Sequence, residues 1–71
     1  MDYITWSDEY LTQAETIANL IEKKKQMLKS STAEQRKSIN RDIIELRNIY
    51  YDCMQIYDVL RRRAGVVSDA A

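Results

Sequence analysis

From residue 1 to residue 64 the chain contains neither proline nor glycine, and its single glycine is Gly65. These two residues are the strongest breakers of regular backbone, so nothing in this stretch interrupts a helix by itself. Strand signals are missing too. There is no sustained apolar–polar alternation and no Asn-Gly or Asp-Gly turn. With 45% apolar and 31% charged residues the composition is not that of a disordered segment. The fold class read from these features is all-α.

The second half has a firm period. Ile39, Ile43, Leu46, Tyr50, Cys53, Tyr57, Leu60 and Ala64 are spaced alternately by four and three, the seam of a helix packed against a helix. The first half repeats the rhythm with Tyr10, Ala14, Ile17, Ile21 and Leu28, and Lys24 is its polar interruption. Between the two runs, from Lys29 to Ser38, large apolar residues disappear.

Start signals bracket both runs. Thr5 with Asp8 resembles a capping box. Ser7 as N-cap would instead put Trp6 and Leu11 at the positions of a hydrophobic staple. Asp8 and Glu9 then sit in a first turn that favours acids. Farther on, Ser31 with Glu34 or Thr32 with Gln35 spells a second capping box. Arg61, Arg62 and Arg63 suit a last turn, Gly65 suits the left-handed residue after it, and Val66 would fold back on Leu60. The prediction is an antiparallel two-helix hairpin, with helices at about 6–29 and 32–64, in one domain spanning 1–71 and ending in a frayed tail at 66–71. The competing arrangement is one continuous helix from about 8 to 64. The two capping boxes and the polar gap favour the hairpin. In its register Ile21 meets Ile43, Ile17 meets Leu46, Trp6 meets Tyr57, and Ala14 and Ala18 face Tyr50.

Such a hairpin has more apolar surface than one partner helix covers. The apolar arc of the second helix spans roughly 160° at 100° per residue, against the ~100° stripe of an ordinary surface helix. Leu20, Met27, Ile44, Ile49, Tyr51, Met54 and Ile56 are left over, and they are the candidate self-association interface. Pairing of two hairpins into a four-helix bundle, as a homodimer, is the expected way to cover them.

Charge is balanced but segregated, with 11 basic and 11 acidic residues. Residues 22–42 hold seven Lys or Arg against three acids, net +4, and the rest holds four against eight, net −4. The hairpin gathers the basic set at its turn. There Lys23, Lys24, Lys25, Arg36 and Lys37 form a candidate anion patch. The plainer reading of the same cations is a solvated helix end.

Catalytic chemistry finds little to stand on. No histidine means no triad, no imidazole base and no Glu-x-x-His di-metal motif. The lone Cys53 lies between Tyr50 and Tyr57 on the seam, a packing position rather than an activated nucleophile. The carboxylates fall on polar arcs, and most tyrosines fall in core register rather than on a base-stacking platform. No catalytic, cofactor-binding or metal-binding residue is assigned. Single-cysteine usage, the absence of a long apolar run and a start at Met1-Asp2-Tyr3 without a basic and apolar leader point to the cytoplasm and away from a membrane.

Two stretches carry a resemblance. Asp2-Tyr3-Ile4-Thr5-Trp6 with Glu9-Tyr10-Leu11, and Ile49-Tyr50-Tyr51-Asp52-Cys53, resemble short uncharacterised helical-hairpin proteins of Gram-positive prophages and mobile elements. They cover about a quarter of the chain, and the resemblance implies an accessory, non-enzymatic protein. In size the chain also looks like the sporulation-phosphatase hairpins. Their Ser-Gln-x-Leu-Asp signature fails here, because Ile39 and Arg41 stand between Ser38 and Asp42 where Gln and Leu belong. The functional expectation is a non-enzymatic, self-associating helical interaction protein. The alternative is a small regulator that binds nucleic acid, or a DNA-bound protein, through the basic turn end.

Overall fold

The computed structural model describes residues 2–65, and the chain forms the expected antiparallel hairpin. Helix α1 runs Tyr3–Met27, a single 3₁₀ turn covers Leu28–Ser30, and helix α2 runs Ala33–Arg63. The reversal needs no glycine. Ser31 and Thr32 are both extended, at ψ 150° and ψ 169°, and these two residues turn the chain back. The Ser31 hydroxyl donates to the Met27 carbonyl, satisfying one orphan acceptor at the end of α1. Thr32 then opens α2 with a complete capping box. The Gln35 amide donates to Thr32 Oγ1 at 3.2 Å and the Thr32 amide to Gln35 Oε1 at 3.0 Å. Of the two boxes spelled by the sequence at this turn, Thr32–Gln35 is the one that forms. At the far end Gly65 takes φ 75°, the left-handed value expected of it, and its amide donates to the Arg62 carbonyl at 3.0 Å. The expected return of Val66 and the tail 66–71 lie outside the described residues.

The start of α1 corrects the sequence reading. The N-cap is Asp2, not Thr5 or Ser7, so the helix begins at Tyr3 rather than near residue 6. Asp2 accepts from the Thr5 hydroxyl at 2.6 Å and from the Ile4 amide at 3.0 Å. Thr5 is thus a donor to the cap. Ser7 is fully buried, with its hydroxyl donating to the Ile4 carbonyl at 2.7 Å, and it extends the seam by one more turn. Trp6, one residue earlier and so about 100° around the helix, leaves the seam. It is 38% exposed and stacks on Tyr3 at 6.4 Å.

The seam otherwise follows its spacing. Ser7, Ala14 and Ile21 of α1 and Ile39, Ile43, Cys53 and Leu60 of α2 are buried. Ile21, Ile39 and Ile43 form the core cluster, with Ile17, Leu28 and Leu46 packed around it. Lys24 interrupts the seam without being stranded, because its Nζ meets Asp42 Oδ2 of α2 at 3.0 Å. The open end is closed by Arg61, which lies 4.0 Å from Asp8 and over the Tyr57 ring at 5.6 Å. The hairpin measures 48 × 25 × 14 Å, and its radius of gyration of 15.9 Å exceeds the ~11 Å of a compact chain this long. It is a single layer of two helices.

Two outcomes follow. Ile43→Asp places an unpaired charge in the core cluster and should cost about 3 kcal/mol, read as lost helicity by circular dichroism; melting like the wild type would refute this register. The Thr5 hydroxyl, and then the Ile4 amide, hold the Asp2 carboxyl below its ordinary 3.8. A lowered folded value means that the cap's contribution is complete above 3.8 and is lost as pH falls through the lower folded value. The Ile4 amide resonance should therefore titrate with a midpoint below 3.8, and a midpoint at or above it would remove Asp2 as the cap.

Candidate functional site

The surface divides into two broad faces by simple spacing. Residues seven apart on a packed helix share a face. On α1, Trp6, Gln13, Leu20 and Met27 form one such row, and Ile4, Leu11 and Ala18 form the other. On α2, Asp42, Ile49 and Ile56 form the first row, while Ile44 and Tyr51, with Met54 three residues on, lie on the opposite side. Grooves between the helices fix which rows are neighbours. Leu20 and Ile49 line one groove with Lys24 and Asp42, and Met27 borders the same ion pair toward the turn. On the other side Ala18 and Tyr51 line a groove with Glu22, Lys25 and Arg47.

The structure thus splits the seven candidate interface residues. Leu20, Met27, Ile49 and Ile56 share the first face with Trp6, and all five side chains are exposed. Ile44 and Tyr51 are exposed on the second face, where Met54 is half-buried. Sequence reasoning missed Trp6 because it was assigned to the seam. It also missed Val59, which is 49% exposed. The signal for Trp6 was present in its seven-residue spacing from Gln13 and Leu20. The grooves of the first face are lined, besides its apolar side chains, by Thr12, Gln13, Thr16, Glu45 and the Lys24–Asp42 pair. The second is fringed by Lys25 and Arg47 and holds the edge-to-face pair Tyr50–Tyr51, 5.7 Å apart.

The five candidate anion-binding cations do not form one patch. Lys23, Lys24 and Lys25 are consecutive, so on a helix they fan across about 200°. Lys24 is engaged by Asp42, and Lys25 lies 3.4 Å from Glu22. Lys23, Arg36 and Lys37 are exposed with no carboxylate within bonding distance among the described residues. Arg36 borders a shallow groove with Leu28, Lys29 and Asn40.

Cys53 is buried with its Sγ 4.0 Å from Gln13 Oε1, a contact from the seam to the first-face row. Among the described residues no group of three or more Cys, Asp or Glu is placed to hold a metal ion. Among the described residues no helix is long and apolar enough to cross a membrane. No family model, no curated protein and no solved structure matches the chain.

Among the described residues the Lys24–Asp42 pair is the cross-helix ion pair near the core cluster, with the two side chains 33% and 42% exposed. Exposure to that degree limits its worth to roughly 1 kcal/mol at most. Lys24→Asp and Asp42→Lys alone should each lower the melting temperature, because each replaces the attraction between the helices at this point with a like-charge repulsion. The double reversal should recover most of the loss in a double-mutant cycle. Losses that merely add would show that the pair does not couple the helices.

Proposed function

We propose that this chain is a non-enzymatic helical interaction protein that works by self-association. The observation that carries the proposal is a hairpin one layer thick with large apolar side chains exposed on both broad faces. Domains of helices are ordinarily built of two packed layers around a core. A lone hairpin buries a single seam, too little apolar surface to offset about 1.5 kcal/mol of chain entropy per ordered residue. A second layer brings Trp6, Leu20, Met27, Ile49 and Ile56 out of water, each worth on the order of 1 kcal/mol at its present exposure. In this reading the protein acts in the cytoplasm as a homodimer, and its second face remains open to another protein.

The runner-up is binding of nucleic acid, or of a DNA-bound protein, through the turn end. Its support is the exposed set Lys23, Arg36 and Lys37. Against it stand the spread of the lysine triplet around α1 and the engagement of Lys24 by Asp42.

Sedimentation equilibrium of the intact protein at tens of micromolar tests the proposal. Dimers or larger species are expected, and Ile49→Glu with Ile56→Glu should return the chain to monomer. A well-folded 8.4 kDa species for the unmodified chain overturns self-association. A salt-dependent shift of a DNA fragment by that monomer would favour the runner-up.

A further inference from the structure

We infer that a second copy of this chain covers the Trp6–Leu20–Met27–Ile49 face, lying antiparallel so that each turn end rests beside the other copy's open end. This rests on the self-association proposed above and names its face, its register and its orientation.

Area comes first. The broad face is 48 Å by 25 Å, ample for the about 800 Å² per partner that a stable interface buries. Its apolar row on α1 is symmetric about the step between Thr16 and Ile17. Turning α1 end for end about that point sets Trp6 against Met27 of the second copy and Gln13 against its Leu20. On α2 the same two-fold passes by Ile49, because Thr16 and Ile49 border one groove and so lie at one level of the hairpin. Ile49 then meets its own copy at the centre. Thr16 fits that position. Its hydroxyl is already spent on the Thr12 carbonyl at 3.1 Å, so it asks nothing polar of a partner.

Charge along α1 decides the orientation, against a smaller like-charge approach of Arg36 and Lys37 to Arg62 and Arg61 of the second copy along α2. The four acids in residues 2–15, in α1 and its N-cap, are Asp2, Asp8, Glu9 and Glu15, and they have no basic residue among them. Residues 22–29 hold four lysines against Glu22 alone. With turn ends opposed, α1 lies along the second copy's α1 and its acidic half meets the basic half. Half a residue away, a turn about Thr16 itself brings Glu9 to Lys23 of the second copy, and both are exposed. With turn ends together the basic ends would be stacked on one another within a Debye length of about 8 Å. Exposed charges add little affinity, but like-charge juxtaposition selects against the wrong arrangement.

Disulfide trapping tests this, in the full chain with Cys53→Ala to remove the only native thiol. Thr16→Cys should cross-link two copies under mild oxidation, while Ser30→Cys at the turn should not. Cross-linking through Ser30→Cys instead would place the turn ends together and overturn the orientation. Failure of both in a protein that still sediments as a dimer would assign self-association to the other face and overturn this inference alone. A monomer by sedimentation would end both proposals. A second test leaves Cys53 in place. Glu9→Lys and Lys23→Glu should each weaken the dimer roughly fivefold, since the two-fold counts every pair twice. The double reversal should restore it, and failure to restore it overturns the register.

Discussion

Ile21 of α1 packs with Ile39 and Ile43 of α2 beside the turn, and the rest of the hairpin is registered from that cluster. With these residues in contact, the four–three spacing carries the seam outward through Ala14, Cys53 and Ser7 to Leu60. The turn is compatible with this register because it needs little. A 3₁₀ turn, two extended residues and a capping box reverse the chain with no left-handed residue between the helices. Lys24 falls in the seam at the same level, and Asp42 answers it from α2. A slip of α2 by one helical turn would part that pair and break the isoleucine cluster together.

The same constraint creates the functional question. A seam joins two helices into a slab 14 Å thick, and a slab has two faces. Neither is dressed as an ordinary solvent face. One carries Trp6, Leu20, Met27, Ile49 and Ile56, and the other carries Ile44 and Tyr51. The faces differ in their polar neighbours. The first is crossed by the Lys24–Asp42 pair, while the second is fringed by the Lys25–Glu22 pair and Arg47. The apolar first face, with acids and lysines at opposite ends of α1, is what the proposed self-association rests on.

Particular residues show how far the sequence could be read. The α2 seam and the Thr32–Gln35 box were legible because each is a local pattern whose physics is complete within a few residues. Thr5, Ser7 and Trp6 were misplaced for one shared reason. Ser7 is polar, so hydropathy assigns it to a cap, yet its hydroxyl bonds the Ile4 carbonyl and needs no solvent. Once a small, self-satisfied serine is admitted to the seam, the spacing extends back to Tyr3, the cap moves to Asp2 and Trp6 rotates outward. The excess of apolar residues was legible as a quantity. Its division into two faces was not, because the wheel of one helix does not say which flank of the other lies beside it.

By itself, then, the sequence determined the helices, the seam, the turn and the charge asymmetry along α1, since all of these arise from neighbours within one or two turns. Tertiary structure decided what depends on the partner helix. It chose Asp42 as the answer to Lys24 and closed the open end with Arg61 between Asp8 and the Tyr57 ring. It also put Leu20 beside Ile49 and Ala18 beside Tyr51. Those pairings join residues about thirty positions apart, and at that separation only the antiparallel packing of α1 on α2 brings side chains within contact distance.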